Sequence, residues 1–489
     1  MDYSAEGFRI ELSNSRIIAK NTVFLIAGDM TYKLVMILFI SVLARKIGLE
    51  LFGVFMLAQI LAGLAIVIAN PGVSQILYRD VATNKESSSY LIGAAAILRL
   101  IFLPIGFGIL MVASFLLGYS SNVFRIIAVV GCGVLILHIS ENYFSVFKAM
   151  GKVHLVMVSK GLHSLLLLAI VFILITIRLN VMEVAIAYLV KAFLVVIMVV
   201  AIGAFAGIRH SMPSNRHLVS ILRRGFPLGL QTLMIGIYLY IDTVMISIMR
   251  TMEEVGCYQA AYRLVTSLNF IALAFTIAIF PIFVRLYASR RDRLEEAYYR
   301  SMKYLLVVGS GMMAGTTVLS EKIIALFYGA GFSSSIRLLQ ILIWSEILIF
   351  LSFACASILL AFDRRWVLFW QTILAALLNI VINLPAIYYL GAIGAAITTV
   401  ITEMLALCFL LWQVNKIGIK VGYRLLRDLG RIIIACAVMS IVLMQFESLP
   451  VVILVLLGAI IYFVILVLSR SFDTEDMRLI RQALNMKRI

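Results

Sequence analysis

The chain alternates between long apolar stretches and short polar connections almost from end to end. Fourteen stretches are long enough to cross the ~30 Å hydrocarbon core, which takes about 20 helical residues at ~1.5 Å per residue. Because little of the chain lies outside them, we predict an all-α integral membrane protein that acts in the bilayer or at its surface. The predicted spans are 21–44, 51–77, 91–117, 123–147, 153–177, 182–206, 217–249, 254–284, 302–327, 335–361, 366–389, 391–414, 431–447 and 450–469.

Composition and charge distribution agree with this prediction. Hydrophobic residues make up 63% of the chain and charged residues 13%, against about 25% charged residues in soluble domains. When residues at the span ends are counted with the adjoining connections, 29 of the 41 lysines and arginines lie at the termini and at alternate connections, 7 lie at the opposite connections and 5 lie deeper within spans. This asymmetry follows the positive-inside rule and predicts a multi-pass protein of the cytoplasmic membrane with both termini cytoplasmic. The net charge of +17 is therefore a topology signal, and we expect no nucleic-acid partner.

The order of the spans contains an internal repeat. The segment Phe147–Lys152 before span 5 is similar to Leu360–Arg365 before span 11, and each is a basic turn between two spans. Six spans are an even number, so two such halves enter the membrane from the same side, as in parallel repeats around a central cavity. The predicted parts are an N-terminal cytoplasmic segment 1–20, an N-lobe 21–206, a loop 207–216, a C-lobe 217–414, a basic loop 415–430, two added spans 431–469 and a cytoplasmic tail 470–489.

The sequence lacks the motifs of a nucleotide-hydrolysing or metal-dependent enzyme. Gly151-Lys152 has Val146 where a Walker A motif has its first glycine and Val153 where it has Ser or Thr. The sequence contains no HExxH or GxSxG motif, its five histidines are not clustered at metal spacing, and its five cysteines lie in apolar segments. We therefore expect a transporter without cofactor or metal, driven by an ion gradient, a substrate imbalance or a partner.

Basic residues within the spans are candidates for binding an anionic headgroup. Charges at membrane depth are costly and usually face a cavity or a partner. A diphosphate needs more than one cation to offset its desolvation, and arginine offers a bidentate fork. The alternatives are an ion pair between Asp29 and Lys33, four residues apart on one helix face, and snorkelling of the other side chains to the membrane surface. The candidates for a diphosphate site are Lys33, Arg263, Arg99, Lys160 and Lys191.

Acidic residues and one polar stripe are candidates for coupling to protons or sodium ions. In span 4, His138, Glu141, Asn142 and Ser145 follow each other at helical spacing, which fits either interhelical hydrogen bonds or a titrating site. A helix opening of Gly225, Pro227 and Gly229 in span 7 is predicted to act as a hinge, although proline in a first turn is also simply tolerated. The coupling candidates are Asp29, Glu141, His138, Asp242, Glu346 and Glu403.

Several short segments together resemble one membrane transport family. They are Leu43–Phe55 after span 1, Gly225–Gly229 and Ile241–Met245 in span 7, Val255–Arg263 opening span 8, Tyr328–Phe332 after span 9, and Gly391–Ala396 opening span 12. In order and spacing the set resembles the polysaccharide exporter and O-antigen flippase family of the multidrug/oligosaccharidyl-lipid/polysaccharide exporter superfamily.

This resemblance implies flipping of a polyprenyl-diphosphate-linked oligosaccharide, such as a polysaccharide or O-antigen repeat unit, to the outer leaflet by alternating access. It also implies a cationic central cavity, for which Lys33 and Arg263 are the best candidates by type and depth. We expect spans 13 and 14 to face lipid or to flank a lateral groove for a polyprenyl tail. The implied partners are the lipid-linked glycan, membrane lipids, glycosyltransferases and a polymerase, and we expect a monomer.

Two other functions remain open from the sequence. A multidrug or cation antiporter of the same superfamily would need an acidic, aromatic pocket, which Asp242, Tyr238 and Tyr240 could supply. A membrane scaffold in a glycan-assembly complex, or an integral enzyme acting on a polyprenyl-linked substrate, lacks any catalytic set of residues in this sequence.

Overall fold

The computed structural model describes residues 28–83, 88–289, 291–420 and 422–472, together with residues 24 and 476. Every regular element within these residues is a helix. The predicted N-terminal segment 1–20 lies outside the described residues, as does most of the predicted tail 470–489. The predicted all-α fold class is confirmed for the part of the chain that is described.

The chain divides into two compact units, residues 1–256 and 257–489. α1 covers residues 28–47. The other helices of the first unit are α2 (Leu49–Ala69), α3 (Val73–Thr83), α4 (Ser88–Leu116), α5 (Ser121–Leu137), α6 (Ser140–Ala149), α7 (Val153–Thr176), α8 (Val181–Phe205) and α9 (Asn215–Met249).

The second unit begins within α10 (Met252–Ser267). Its further helices are α11 (Asn269–Ser289), α12 (Arg291–Phe327), a 3₁₀ turn (Ala330–Phe332), α13 (Ser335–Ala361), α14 (Arg365–Leu390), α15 (Ala392–Lys416), α16 (Tyr423–Gln445) and α17 (Val451–Leu468).

Twelve stretches of helix in the described residues are long and apolar enough to cross a bilayer. They coincide with twelve of the fourteen predicted spans. The remaining two predicted spans, 21–44 and 431–447, coincide with α1 and α16, which are also helical but carry more charged residues. The protein is therefore a multi-pass membrane protein, and twelve helical stretches of the described residues qualify as crossings by their length and composition.

Three predicted spans are broken in the structure. The predicted span 51–77 ends at Ala69, because Pro71 lacks an N–H and Gly72 has a φ of +71°, which a helix does not accept. Span 4 is divided at His138 and Ile139 into α5 and α6, and span 8 is divided at Leu268 into α10 and α11. Such breaks are hidden when hydrophobicity is averaged over a whole span, although at each of them one of the two helices is more polar than the other.

α2 is the central helix of the first unit. It packs against α4, α5 and α9, and residues Phe52–Ala62 are all buried. The ring of Phe55 meets the ring of Tyr188 on α8 edge to face at 5.8 Å and that of Phe39 on α1 at 6.2 Å. These aromatic contacts tie α1, α2 and α8 together on one side of the unit.

In the second unit, α12 packs against α13 and α16, and α13 packs against α15. The first turns of α12 are joined to the segment that follows α17 through the buried carboxylate of Asp476. Its oxygens lie 2.5 Å from Arg300 Nη1, 2.6 Å from Lys303 Nζ and 2.5 Å from Tyr304 Oη. These contacts fix the end of α17 beside α12.

Candidate functional site

The first unit contains a cavity of about 270 Å³. Its walls come from α1, α5, α6, α7 and α8, and hydroxyl, imidazole, carboxyl and amine groups face it among apolar side chains. The lining residues are Tyr32, Val134, Leu137, His138, Ser140, Glu141, Phe144, Lys160, His163, Tyr188 and Val195. The structure thus brings together three of the predicted site residues, His138, Glu141 and Lys160.

Lys160 on α7 is ion-paired with Asp29 on α1. Its ammonium also lies 6.0 Å from the centroid of the Phe144 ring on α6. Asp29 therefore has a partner 131 residues away, which the i,i+4 spacing of Asp29 and Lys33 could not reveal. Lys33 is exposed on α1.

Lys191 on α8 lies deeper than Lys160, with an exposed fraction of 2%. Its Nζ is 3.1 Å from Nε2 of His163 on α7 and 3.7 Å from the centroid of the Tyr188 ring. The His163 ring in turn packs against the Tyr32 ring at 4.7 Å. Lys191 is therefore part of a buried amine–imidazole–aromatic cluster and does not snorkel to the surface.

Arg99 on α4 is buried at the two helix breaks of this unit. Its Nη2 donates to Oδ1 of Asn142 at 2.8 Å and to Oγ of Ser74 at 3.2 Å, and its Nη1 donates to the carbonyl of Ala69 at 3.3 Å. The guanidinium thereby satisfies the last carbonyl of α2 and joins α3 to α6. A charged group with three hydrogen bonds compensates part of the cost of its burial.

The same network includes the break between α5 and α6. Asn70 Nδ2 lies 3.0 Å from Ser74 Oγ and 3.2 Å from His138 Nε2, and Ser74 Oγ donates to Asn142 Oδ1 at 3.0 Å. Glu141, which follows the break, interacts electrostatically with Arg99. Irregular backbone at membrane depth is tolerated where polar groups of the protein satisfy it or where it lines a cavity, and both conditions hold here.

The predicted hinge in span 7 is a close contact between backbones. α9 is continuous through Pro227. A Cβ atom on Gly225 would lie 2.6 Å from the carbonyl oxygen of Pro71, and one on Gly229 would lie 2.8 Å from the Pro71 Cα. The two glycines let α9 approach the break between α2 and α3, and their role as a hinge stays a prediction.

Asp242 is buried near the end of α9, with an exposed fraction of 4%. One turn further on, Ser247 Oγ lies 2.7 Å from the hydroxyl of Tyr119, in the connection between α4 and α5. Burial raises the pKa of the Tyr119 phenol, and the hydrogen bond between Tyr119 and Ser247 opposes that shift. Asp242 does not line the cavity of α1, α5, α6, α7 and α8, and its part in coupling stays a prediction.

Two predicted coupling residues lie together in the second unit. Glu346 on α13 and Glu403 on α15 are buried, with exposed fractions of 1% and 8%, and their charges interact. Neither carboxylate oxygen of Glu346 has a hydrogen-bond partner among the described residues. A buried carboxylate in this condition is stabilised by binding a proton or a cation.

Arg263 on α10 belongs to the same unit and is partly buried. Its charge acts on the phenol of Tyr328, directly after α12. On the same helix, the buried Tyr258 hydroxyl lies 3.2 Å from Oγ1 of Thr399 on α15.

An apolar groove lies between α12, α16 and α17. Its volume is about 320 Å³. Gly311, Gly315 and Gly458 are part of its lining and contribute no side chain to it. Tyr462 also lines the groove, and its hydroxyl donates a hydrogen bond to the backbone carbonyl of Val307 at 2.7 Å. The one phenol of the lining therefore has its polar group satisfied within the protein. The other lining residues are Leu268, Val308, Met312, Thr316, Leu319, Ile323, Met439, Leu443, Leu454, Val455, Ala459 and Phe463.

The structure adds four residues to the candidate site that the sequence did not single out. Asn70 and Ser74 lie within the predicted span 51–77, where nothing marks a break. His163 belongs to no cluster of histidines in the sequence, and Tyr188 is marked by nothing except its residue type. The spacing of Tyr188 and Lys191, three residues apart on one helix face, is the signal that could have found the last pair. Among the described residues, no group of three or more His, Cys, Asp and Glu could hold a metal ion.

Comparisons with solved structures identify the fold. A structure of the lipid II flippase MurJ in an inward closed conformation aligns with a TM-score of 0.73 at 15% identity, covering 91% of this chain and 98% of that one. An inward-facing multidrug resistance transporter of the MATE family aligns with a TM-score of 0.64 at 20% identity, covering 81% and 98%. At these identities the likeness concerns the fold alone.

Comparisons of sequence identify the family. The probable low-salt glycan biosynthesis flippase Agl15 of Haloferax volcanii is 23% identical over 368 residues, 74% of this chain and 76% of that protein. The MatE family model matches residues 227–384. The model of the polysaccharide biosynthesis protein family matches residues 18–287, more than half of the chain. The resemblance noted in the sequence is thereby confirmed, and the chain belongs to the polysaccharide biosynthesis protein family.

Proposed function

We propose that this protein is a flippase, not an enzyme, which moves a polyprenyl-diphosphate-linked oligosaccharide across the cytoplasmic membrane by alternating access. The observation that carries the proposal is the apolar groove of α12, α16 and α17 in a member of a polysaccharide biosynthesis family. A glycan is polar and needs no such groove, whereas a polyprenyl chain is a long apolar ligand. The similarity to Agl15, a probable glycan biosynthesis flippase, supports the same substrate class.

The groove has the properties that a polyprenyl tail requires. Its lining is almost entirely apolar, and the hydroxyl of Tyr462 already donates to a backbone carbonyl. Three glycines line the groove, and α12, α16 and α17 pack against one another around it. Burial of apolar chain surface contributes about 25 cal/mol per Å².

The diphosphate candidates Lys33 and Arg263 are retained from the sequence, because each is a basic residue within a predicted span. Lys33 is exposed on α1, and Arg263 is partly buried on α10. Arg99 contacts the network at the helix breaks, Lys160 contacts Asp29, and Lys191 contacts His163. Substrate binding by these last three cations would require those contacts to rearrange.

Flipping is proposed to be coupled to protons or sodium ions. The buried carboxylates of Glu346 and Glu403 are the candidates in the second unit, and the cavity with Glu141 and His138 is the candidate in the first. We also propose that both termini are cytoplasmic, because of the distribution of lysine and arginine. The proposed architecture has two six-span lobes. The protein is proposed to be a monomer that acts beside glycosyltransferases and a polymerase.

Reconstitution in liposomes tests the function. The substrate is a polyprenyl-diphosphate-linked N-acetylglucosamine with a fluorophore on the sugar, and dithionite quenching reports the fraction in the outer leaflet. We expect exchange between leaflets with the wild type and loss of exchange in the double variant K33Q/R263Q. The exposed Arg125 supplies the matched control R125Q, which should exchange normally. Exchange by K33Q/R263Q at the wild-type rate would contradict the assignment of the diphosphate site.

The groove is tested separately by filling it. A Cβ on Gly315 would point into open space, with its nearest neighbour, Met439 Cε, 3.9 Å away. We expect G315F to impair exchange of a long polyprenyl substrate and to leave exchange of a short-chain prenyl analogue nearly unchanged. Equal effects on both substrates would show that the groove does not hold the tail.

A multidrug or cation antiporter is the second candidate function. It is favoured by the match of the MatE model to residues 227–384 and by the buried Asp242 in that range. Cells that express the protein would then resist cationic dyes, and D242N would remove the resistance. Dye resistance without any lipid exchange would replace the first proposal by this one.

A further inference from the structure

Lys191 and His163 form a buried contact between two basic side chains, which cannot both be protonated at the same time. The lysine ammonium has only donors, so His163 accepts at Nε2, 3.1 Å away, in its neutral form. If the imidazole is protonated instead, the amine must be neutral to accept. Protonation of both would place two positive charges at hydrogen-bond distance without an acceptor between them. The pair therefore holds at most one proton beyond its neutral form.

The surroundings of the pair favour exchange of that proton. Within the described residues, Lys191 contacts His163 and the face of the Tyr188 ring, and it forms no ion pair. A charge buried to 2% exposure without a carboxylate partner is expensive. Aromatic rings on both sides, those of Tyr188 and Tyr32, supply weak compensation for a cation. Small changes of the surroundings can thus change whether the pair is charged.

The charged groups near the pair come from α7, α1 and the break between α5 and α6. Lys160 on α7 lines the same cavity as His163 and is itself paired with Asp29 on α1. From the break between α5 and α6, His138 and Glu141 face the same cavity. A rearrangement that separated Asp29 from Lys160 would change the electrostatic potential at His163 directly.

The cavity supplies a path for the proton. His163 and Tyr188 line it together with Glu141. A volume of about 270 Å³ leaves room for several water molecules beside His163. A proton that leaves the pair can therefore pass to water, and no covalent bond is made or broken elsewhere.

We propose that the Lys191–His163 pair binds and releases one proton in each transport cycle, so that the first unit is coupled to protons and not to sodium ions. This inference rests on the proposed flippase function and deepens it by naming the ion and its site. Sodium is a hard cation that prefers oxygen ligands, as calcium and magnesium do. Two nitrogen bases that face each other bind a proton and offer no such ligands.

Proteoliposomes test the proposal with the fluorescent polyprenyl-diphosphate substrate and an imposed gradient of either protons or sodium ions. We expect the wild type to flip faster or slower in a pH gradient and to ignore a sodium gradient of equal size. K191M, and H163Q, in which the amide oxygen still accepts from the ammonium but cannot titrate, should both lose the response to the pH gradient. His154, exposed on the same helix, supplies the control H154Q, and exposed Lys46 supplies K46M, and both should respond as the wild type does.

Retention of the wild-type pH response by K191M and H163Q, or a wild-type response to sodium alone, would overturn the inference. If the wild type does not flip lipid at all, the proposed function fails, and the proton site is judged by a second measurement. The double variant K191M/H163Q, solubilised in detergent, should take up one proton fewer than the wild type between about pH 9 and about pH 5. Equal uptake would exclude a titrating pair, and a matching melting temperature would show that the variant is folded.

Discussion

The carboxylate of Asp29 on α1 is ion-paired with the ammonium of Lys160 on α7, 131 residues further along the chain. The pair borders the cavity that also contains His163. It joins the first described helix of the protein to the wall of its polar cavity. The contact gives Asp29 a structural partner, and it identifies the interaction whose loss would alter the potential in the cavity.

Reversal of this ion pair tests whether the contact holds α1 in place. D29N and K160M should each lower the melting temperature in detergent, and the exchange D29K/K160D should restore part of the loss. The Asp29 side chain is 48% exposed, so the coupling energy should be modest, about 0.2–1 kcal/mol. A thermal unfolding series of the four proteins measures it. Additive losses in the exchanged protein would show that the two charges do not interact.

Arg99 should be a stabilising residue more than a substrate ligand. R99M would leave Asn142 Oδ1, Ser74 Oγ and the Ala69 carbonyl without their donor, at a cost of about 1–3 kcal/mol. Denaturant or thermal unfolding gives the loss, and R125M, on an exposed residue, should change stability by less than about 0.5 kcal/mol. Full stability of R99M together with weaker substrate binding would reverse this assignment.

The effect of replacing each glycine of α9 by alanine should depend on how close its new methyl group comes to neighbouring atoms. G225A places a methyl group 2.6 Å from the Pro71 oxygen and should destabilise the protein, with G229A close behind it. Gly236 on the same helix has its nearest neighbour, a Leu64 methyl group, at 3.4 Å. G236A should therefore be neutral or stabilising by about 0.5–1 kcal/mol through the higher helix propensity of alanine. Melting temperatures decide the order, and equal effects at Gly225 and Gly236 would contradict the packing.

Replacing Glu346 by the neutral amide glutamine should make the folded protein more stable. Its carboxylate is buried without a hydrogen-bond partner among the described residues and interacts with the charge of Glu403. E346Q keeps the shape of the side chain and removes the charge, so it should stabilise the protein by about 1–2 kcal/mol. The exposed Glu321 supplies the control E321Q, which should have little effect. A lower melting temperature for E346Q would indicate that the carboxylate holds a bound cation in the wild type.

The positions of most helices could be predicted from hydrophobicity, but their interruptions could not. The predicted span 335–361 lies within one residue of α13, and the predicted span 182–206 lies within one residue of α8. In contrast, the break at His138 and Ile139 lies inside the predicted span 123–147, between the apolar α5 and the more polar α6, and the one at Pro71 and Gly72 lies inside the predicted span 51–77. A break is stabilised by partners such as Arg99 and Asn70, which come from other helices.

The sequence by itself determined that this protein is helical, crosses the membrane many times and resembles a polysaccharide exporter family, because length, apolar composition and short ordered motifs are local properties. Only the tertiary structure decided which buried charges are already paired. Lys160 is 131 residues from Asp29, and Lys191 is 28 residues from His163. The energy of a buried charge depends on the groups within a few ångströms of it, and those groups come from helices that are distant in the chain.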